Sequence, residues 1–213
     1  MENVKDIDGN SYKTVKIGNQ IWMAENLKVT RYRNGDKIRY FNFLDTGTES
    51  GKYANYNDNF GSAVLRTEKY VSIYGRLYNY FAVHDSQNIA PEGWHVSTRQ
   101  EWKDLETYLD ISIGVNANDG GKKLKEFGFD HWLKRNDKIC GTNESGFTAL
   151  PGGNCDYWKY KHYNNLGETA GFWLGGGKIN IKNHARFLNH HNNWLRDVYL
   201  YSHTGLSIRC IKD

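Results

Sequence analysis

The sequence predicts an α+β protein, and three observations carry that prediction. Between Tyr74 and Leu109 a strand pattern, a turn and an amphipathic helix follow one another without interruption. Near its start the chain carries an alternating hairpin pattern. The composition, 22 Gly, 15 Tyr and 7 Trp against 2 Met with a mean hydropathy of −0.77, suits many short strands and loops anchored by aromatics.

Taken in order, Tyr12 to Ile17 (YKTVKI) alternates apolar and polar as a half-buried strand does. Gly18-Asn19 is a hairpin turn, and Ile21 to Met23 is the return strand. Asn26 to Arg39 is polar and turns at Asn34-Gly35. Tyr40 to Lys69, rich in Asn, Gly, Asp and Thr, reads as a long ordered loop or short irregular strands. Asn55, Asn57 and Asn59 have calcium-loop spacing, but only Asp58 nearby is charged and no bidentate Glu follows, so a turn-rich loop is the reading. Leu77, Tyr78, Tyr80, Phe81 and Val83 form a strand run closed by His84 to Asn88. Pro91-Glu92-Gly93 makes a turn. Ser97, with Gln100 three residues on, has the form of a capping box, so a helix should begin there. Trp102, Leu105, Tyr108 and Leu109 give that helix a packed stripe and leave Glu101, Lys103, Asp104 and Glu106 to solvent.

Asn116 to Gly121 (NANDGG) turns into a second short helical turn over Lys122 to Phe127. Phe147, Ala149 and Leu150 then read as a small buried strand ended by Pro-Gly-Gly. The last sixty residues change character, with eight Asn, five of the eight His, five Tyr and three Trp. Apolar punctuation at Phe172-Trp173, Ala185-Phe187-Leu188, Val198-Leu200 and Leu206-Ile208 marks the strands of a small sheet. Trp173 and Trp194 are the tail's expected core fillers.

No Pro/Ser linker or charge run divides the 213 residues, so one domain over 1–213 is expected, with 1–153 as scaffold and 154–213 as a ligand-binding segment with a closing strand. Residues 1–153 carry 20 Lys/Arg against 20 Asp/Glu, and the tail carries 8 against 4. The formal excess of +4 lies in the tail and is far short of a nucleic-acid patch. No stretch approaches eighteen apolar residues and MENVKDIDGN has no apolar h-region, so neither a membrane span nor a signal peptide is expected in this sequence. Three cysteines, Cys140, Cys155 and Cys210, allow one intramolecular bridge and leave one thiol over, which does not settle the compartment.

VKIGNQIWMAENLK (15–28), YGRLYNYFAV (74–83), PEGWHVSTRQEW (91–102), NESGFTALPGG (143–153) and GLSIRCIKD (205–213) together resemble the Fibrobacter succinogenes major paralogous domain. Five blocks in the right order across nearly the whole chain are far more specific than any one. The resemblance implies a C-type-lectin-like fold, shared with the formylglycine-generating-enzyme group: two helices, a twisted and mostly antiparallel sheet, and much ordered loop. It also implies a bacterial surface or secreted protein, typical of gut Bacteroidetes, or display on a phage particle. Some members are variable proteins of diversity-generating retroelements, rewritten in the C-terminal segment at adenine-containing codons. The chain departs from the family at Ala90, where a Cys before PEGW commonly bridges to the Cys near the C-terminus. Either Cys140 or Cys155 substitutes for it, or Cys210 is a buried thiol. GFWLGGGK (171–178) replaces the family's GYWWSST.

No enzyme is expected, and no cofactor or metal. A formylglycine-generating site needs a thiol pair near the C-terminus, whereas Cys210 stands alone in its strand and Cys155 lies fifty-five residues earlier. Adjacent His190 and His191 point to opposite faces of a strand, so with His184 they read as exposed polar residues rather than zinc ligands. No glycine-rich loop leads into a Lys-Ser/Thr helix, so nucleotide binding has no support. The tail's Tyr, Trp, Asn, His and Gly are instead the mixture of stiff amphipathic contacts and adaptable hydrogen bonds found in paratopes. The predicted face is Asp156, Tyr157, Trp158, Tyr160, His162, Tyr163, Asn180, Lys182, Asn183, His190, Asn192, Asn193, Tyr199 and Tyr201. Its expected partner is a protein or glycan on another cell or surface. A fixed glycan platform and a pilus or envelope subunit are the alternatives.

Overall fold

In the computed structural model, residues 2–41, 49–56, 64–113, 117–156 and 162–213 are described. The chain opens with β1 (Val4–Lys5) and β2 (Ser11–Tyr12), joined by a turn in which the Asp6 carboxylate accepts from the backbone N–H of Asp8 and Asn10 at 3.0 and 2.9 Å. The expected hairpin follows as β3 (Thr14–Ile17) and β4 (Gln20–Met23), turning at Gly18 with φ 58°. Next come β5 (Arg39–Tyr40) and β6 (Lys52–Ala54), which pair in parallel.

Helix α1 (Val64–Tyr74) begins inside the stretch Tyr40 to Lys69 that the sequence assigned to loop or irregular strand. Its sequence, VLRTEKYVSIY, contains strong helix formers, and Gly75 at φ 75° ends it by donating its N–H to Val71 O at 3.0 Å. The strand expected over 77–83 is only β7 (Leu77–Tyr78). Asn79 then caps α2 (Tyr80–Val83), its side chain accepting from Ala82 N at 3.1 Å, and the alternation stops there.

After the Gly93 turn (φ 72°) come β8 (Trp94–Val96) and α3 (Arg99–Tyr108). The cap sits one residue later than expected: Thr98 and Glu101 form the capping box, and Ser97 Oγ accepts from Trp102 Nε1 at 2.9 Å instead. The packed stripe is rotated as well. Trp102 and Leu105 are buried, but Tyr108 is 66% exposed and Glu106 is buried, because an arginine from the tail reaches it.

A 3₁₀ turn at Asp119–Lys123 falls mainly within the expected turn at 116–121, and the helical turn expected over Lys122 to Phe127 is absent beyond Lys123, where Lys125 instead bridges Ala149. Phe147 and Ala149 are buried but form no strand, Ala149 making only an isolated bridge to Lys125. The strand starts beyond Pro151 as β9 (Gly152–Asp156). The tail continues as β10 (His162–Leu166), β11 (Thr169–Trp173), β12 (Lys182–Asn189), β13 (Arg196–Tyr201), β14 (Thr204–Gly205) and β15 (Cys210–Lys212).

The tail builds a mixed sheet in the order β10-β9-β11-β12-β13, with β14 also on β9; β9 and β11 run parallel and the other pairs antiparallel. A second sheet runs β3-β4-β15-β8, and a third β5-β6-β7. Among the described residues the helices are few and short, so the architecture is α+β with small sheets and much loop.

The main core joins these sheets through aromatic edges. Trp22 meets Trp102 at 5.4 Å and Phe147 at 5.6 Å, and Trp102 meets Phe172 at 5.8 Å. Each such contact adds about 0.5 to 1.5 kcal/mol beyond area burial. Arg209 is fully buried at the margin of this cluster, its guanidinium 4.5 Å from the Phe147 ring centroid. It donates to Asn26 Oδ1 and to the carbonyls of Met23, Phe147 and Thr148 at 2.6 to 3.0 Å, so every guanidinium nitrogen has a hydrogen-bond partner. Cys140, Cys155 and Cys210 are all free, and Cys210 is a buried thiol.

Candidate functional site

The β12–β13 hairpin divides the predicted site residues by face and by end. Its register pairs Lys182 with Tyr201, His184 with Tyr199 and Arg186 with Asp197, so these six share one face. The intervening residues Ala185, Phe187, Val198 and Leu200 pack on Tyr80 and Trp173.

On the outer face, Lys182 Nζ lies 4.8 Å from the centroid of the exposed Tyr201 ring, and His184 stacks against exposed Tyr199 at 4.0 Å. His184 is therefore not the free surface polar residue expected; it also bonds Asp197 at 3.0 Å. Beneath, fully buried Arg186 donates to Glu106 of α3 at 2.6 Å and pairs with Asp197 at 3.0 Å, while Arg99 reaches Asp197 at 3.3 Å. Burial raises the Glu106 carboxyl against the pull of Arg186. This charge network fixes the hairpin on α3, so the Tyr199/Tyr201 row is presented from a rigid base.

Beside that row opens a groove of about 1100 Å³, lined by Asp156, Asn180 and Tyr201 together with Phe81, Ile179 and Ile181. Three of the predicted residues thus converge on one cavity. Its isoleucines were missed by sequence reasoning: Ile179 and Ile181 are 43% and 82% exposed. The signal was present in the alternation KINIK (178–182), between the glycine run and β12. His203, another lining residue, has its imidazole lowered by burial and by the Lys52 ammonium, which favours the neutral ring.

Other predicted residues do not join this group. Asn183 is buried and structural: its Oδ1 accepts from Asn180 N at 3.0 Å and its Nδ2 donates to Asn180 O and Ser202 Oγ at 2.9 and 2.8 Å. Asn193 is also buried, accepting from Lys125 Nζ at 3.3 Å and donating to Lys138 O at 3.2 Å. A binding surface cannot use either side chain.

His190 and Asn192 sit at the opposite end of the hairpin, beyond the Phe187–Arg196 pair, which itself lies about 17 Å from the Lys182–Tyr201 pair at about 3.4 Å per residue. Lys125 supports that end from inside, donating to the carbonyls of Asn189 and Asn192 at 2.7 Å each. Tyr163 packs partly buried beside Cys155 and Phe41 rather than on the groove. Tyr157, Trp158, Tyr160 and the side chain of His162 lie outside the described residues, as do Asn57, Asp58 and Asn59. Trp173 is core, whereas Trp194 is 44% exposed.

Among the described residues no three His, Cys, Asp or Glu side chains are grouped to hold a metal ion. His190 and His191 meet edge to face at 5.3 Å, and the His191 imidazole is lowered by burial and by its cationic neighbours. No helix among the described residues is long and apolar enough to cross a membrane.

Small mixed sheets, few helices and a rigid aromatic and polar face beside a groove define a loop-rich α+β protein. The chain belongs to the Fibrobacter succinogenes major domain family, whose model matches residues 15–212. No curated protein and no solved structure matches the chain.

Proposed function

We propose that this chain is a non-enzymatic ligand-binding module of C-type-lectin-like fold, secreted or displayed on a bacterial surface or a phage particle. Its ligand is a protein or glycan on another surface. The observation that carries the reading is the Tyr199/Tyr201/Lys182 row opening onto the groove of Asp156, Asn180, Ile179 and Ile181. Rigid amphipathic rings over a buried charge network give contact area at low entropic cost. The return of β15 between β4 and β8, in a loop-rich chain, supports the fold assignment. Burial pushes the Cys210 thiol far above its ordinary range, the reverse of what a reactive thiol needs, which supports the absence of catalysis. A tail diversified by a retroelement is the preferred version, since Asn, Tyr, His and Asp are residues that varied adenine-rich codons encode.

Deep sequencing of the gene's 3′ end across the source population tests it. The expected result is variation at the codons of exposed Asn180, Lys182, Tyr199 and Tyr201, with those of Asn183, Asn193 and Gly205 to Asp213 held constant. An invariant tail refutes diversification. Glycan-array binding lost in Tyr201→Ala would then establish a fixed lectin-like platform.

A further inference from the structure

The loop that joins β12 to β13 is held against a second stretch of chain. Two adjacent carbonyls of the β10–β11 turn take one backbone N–H each, Gly167 O from Leu133 at 2.8 Å and Glu168 O from His190 at 2.7 Å. Asn193 Nδ2 donates to Lys138 O at 3.2 Å. Residues 133–138 are therefore clamped along the loop at both ends, and exposed Arg135 lies between the clamps. Within the loop burial alternates: Asn193 and Leu195 turn inward, so Trp194 and Arg196, both exposed, share the outward side. His190 and His191, edge to face at 5.3 Å, adjoin them.

The charge gathered here is not neutralised. Among the described residues no ion pair or hydrogen bond engages the guanidinium of Arg135 or of Arg196. Carboxylates of the same region are engaged elsewhere: Asp137 pairs with Lys134 at 2.6 Å and Glu126 with His131 at 2.7 Å. Asp119 is felt at Lys125 and Glu168 at Tyr56, but the charged groups that act most on His191 are His190, Arg135, Lys125 and Arg196, all basic. His190 Nδ1 is buried without a hydrogen-bond partner, which costs free energy until something pairs with it. Guanidinium forks match the oxygens of a carboxylate or sulfate, and an exposed indole on the side of Arg196 offers a flat apolar face for a sugar ring. We propose that this loop end is a second ligand subsite for one acidic sugar residue: Trp194 stacks on the ring while Arg135 and Arg196 hold its sulfate or carboxylate. Nucleic acid fits less well, because a phosphate backbone calls for a row of cations and this patch presents two guanidiniums. The subsite lies at the far end of the hairpin from the Tyr201 groove and stands whether or not that groove binds a ligand.

Titration calorimetry of the full chain tests it with three probes: a chondroitin sulfate tetrasaccharide, the same tetrasaccharide desulfated so that only its uronate carboxylates remain, and a single-stranded DNA tetranucleotide. The expected result is binding of the sulfated tetrasaccharide that weakens about tenfold or more in Arg135→Gln, in Arg196→Gln and in Trp194→Ala. Lys16→Gln, which removes an exposed charge elsewhere, should bind as the parent does. All four positions are exposed, so the substitutions leave the core untouched. Binding kept by the desulfated probe makes the carboxylate the recognised oxyanion, and binding lost makes it the sulfate. The proposal is overturned if neither tetrasaccharide binds, if Trp194→Ala binds as the parent does, if Lys16→Gln loses as much as the arginine variants, or if the DNA binds as tightly as the sugar.

Discussion

Replacing Lys125 by Met tests how the hairpin's loop end is held. Met keeps the apolar stem and removes the ammonium that donates at 2.7 Å to Asn189 O and Asn192 O and lies 4.8 Å from the Trp132 ring centroid. Each buried carbonyl left without a donor costs about 1 to 3 kcal/mol, and a desolvated cation–π contact about 1 to 2 kcal/mol. Opposing this, burial has lowered the Lys125 ammonium from 10.5 to about 8. That burden, about 3 kcal/mol at roughly 1.4 kcal/mol per pH unit, disappears in the mutant. The net expectation is a destabilisation of about 2 kcal/mol, read by urea denaturation at pH 7. The pH dependence follows from linkage. A folded-state value below the unfolded one means that the unfolded chain holds more protons between about 8 and 10.5. Over that window the wild type should therefore gain stability relative to Lys125→Met as pH rises. A loss below about 0.5 kcal/mol, or a difference that stays flat across the window, refutes the argument.

Two further perturbations address the scaffold. Arg209→Met leaves four buried acceptors unpaired, and relief from burying a cation offsets only part of that cost, so a loss of about 3 kcal/mol in chemical denaturation is expected; a loss under about 1 kcal/mol contradicts it. Burial alone lowers the His95 imidazole, but bonds to Asp213 at 2.6 Å and Glu101 at 2.7 Å overcome this and raise it above 6.5. The stabilisation is complete below that value and fades as pH rises through the raised one. The melting midpoint should fall over this range in the wild type and not in His95→Asn, and parallel curves would rule the bridge out.

Local signals in the sequence were legible where the chain answers to its own neighbours. The β3–β4 hairpin, the Gly93 turn and strands β11, β12 and β13 follow from alternation and turn chemistry that act within a few residues. The strand expected at Leu206–Ile208 is absent, the chain there making only isolated bridges from Leu206 to Tyr78 and from Ser207 to Phe172. What stayed hidden depends on partners far away in the chain. Glu106 looked solvated because its partner Arg186 is eighty residues on, and Ser97 looked like a cap because nothing local reveals its acceptance from Trp102. Asn183 and Asn193 carry the same side chain as the exposed Asn180, and only the contacts of Asn183 with Ser202 and of Asn193 with Lys125 show that two of the three are structural. Helix α1 was missed for another reason: the loop-like composition before it outweighed the stop signal at Gly75.

The position of β15 has a consequence for how errors in the tail are tolerated. Strands β4 and β8 belong to one sheet only through β15, whose Ile211 pairs with Trp22 on one side and His95 on the other. Residues early in the chain therefore stay unclosed until synthesis has passed through the whole of 154–204. A substitution in that span leaves the keystone intact. A frameshift or a stop codon removes it, and with it the Arg209 contacts that tie Asn26 to Phe147. The closing strand thereby acts as a reading-frame check on changes upstream: only products read in frame through Lys212 carry the strand that joins β4 to β8.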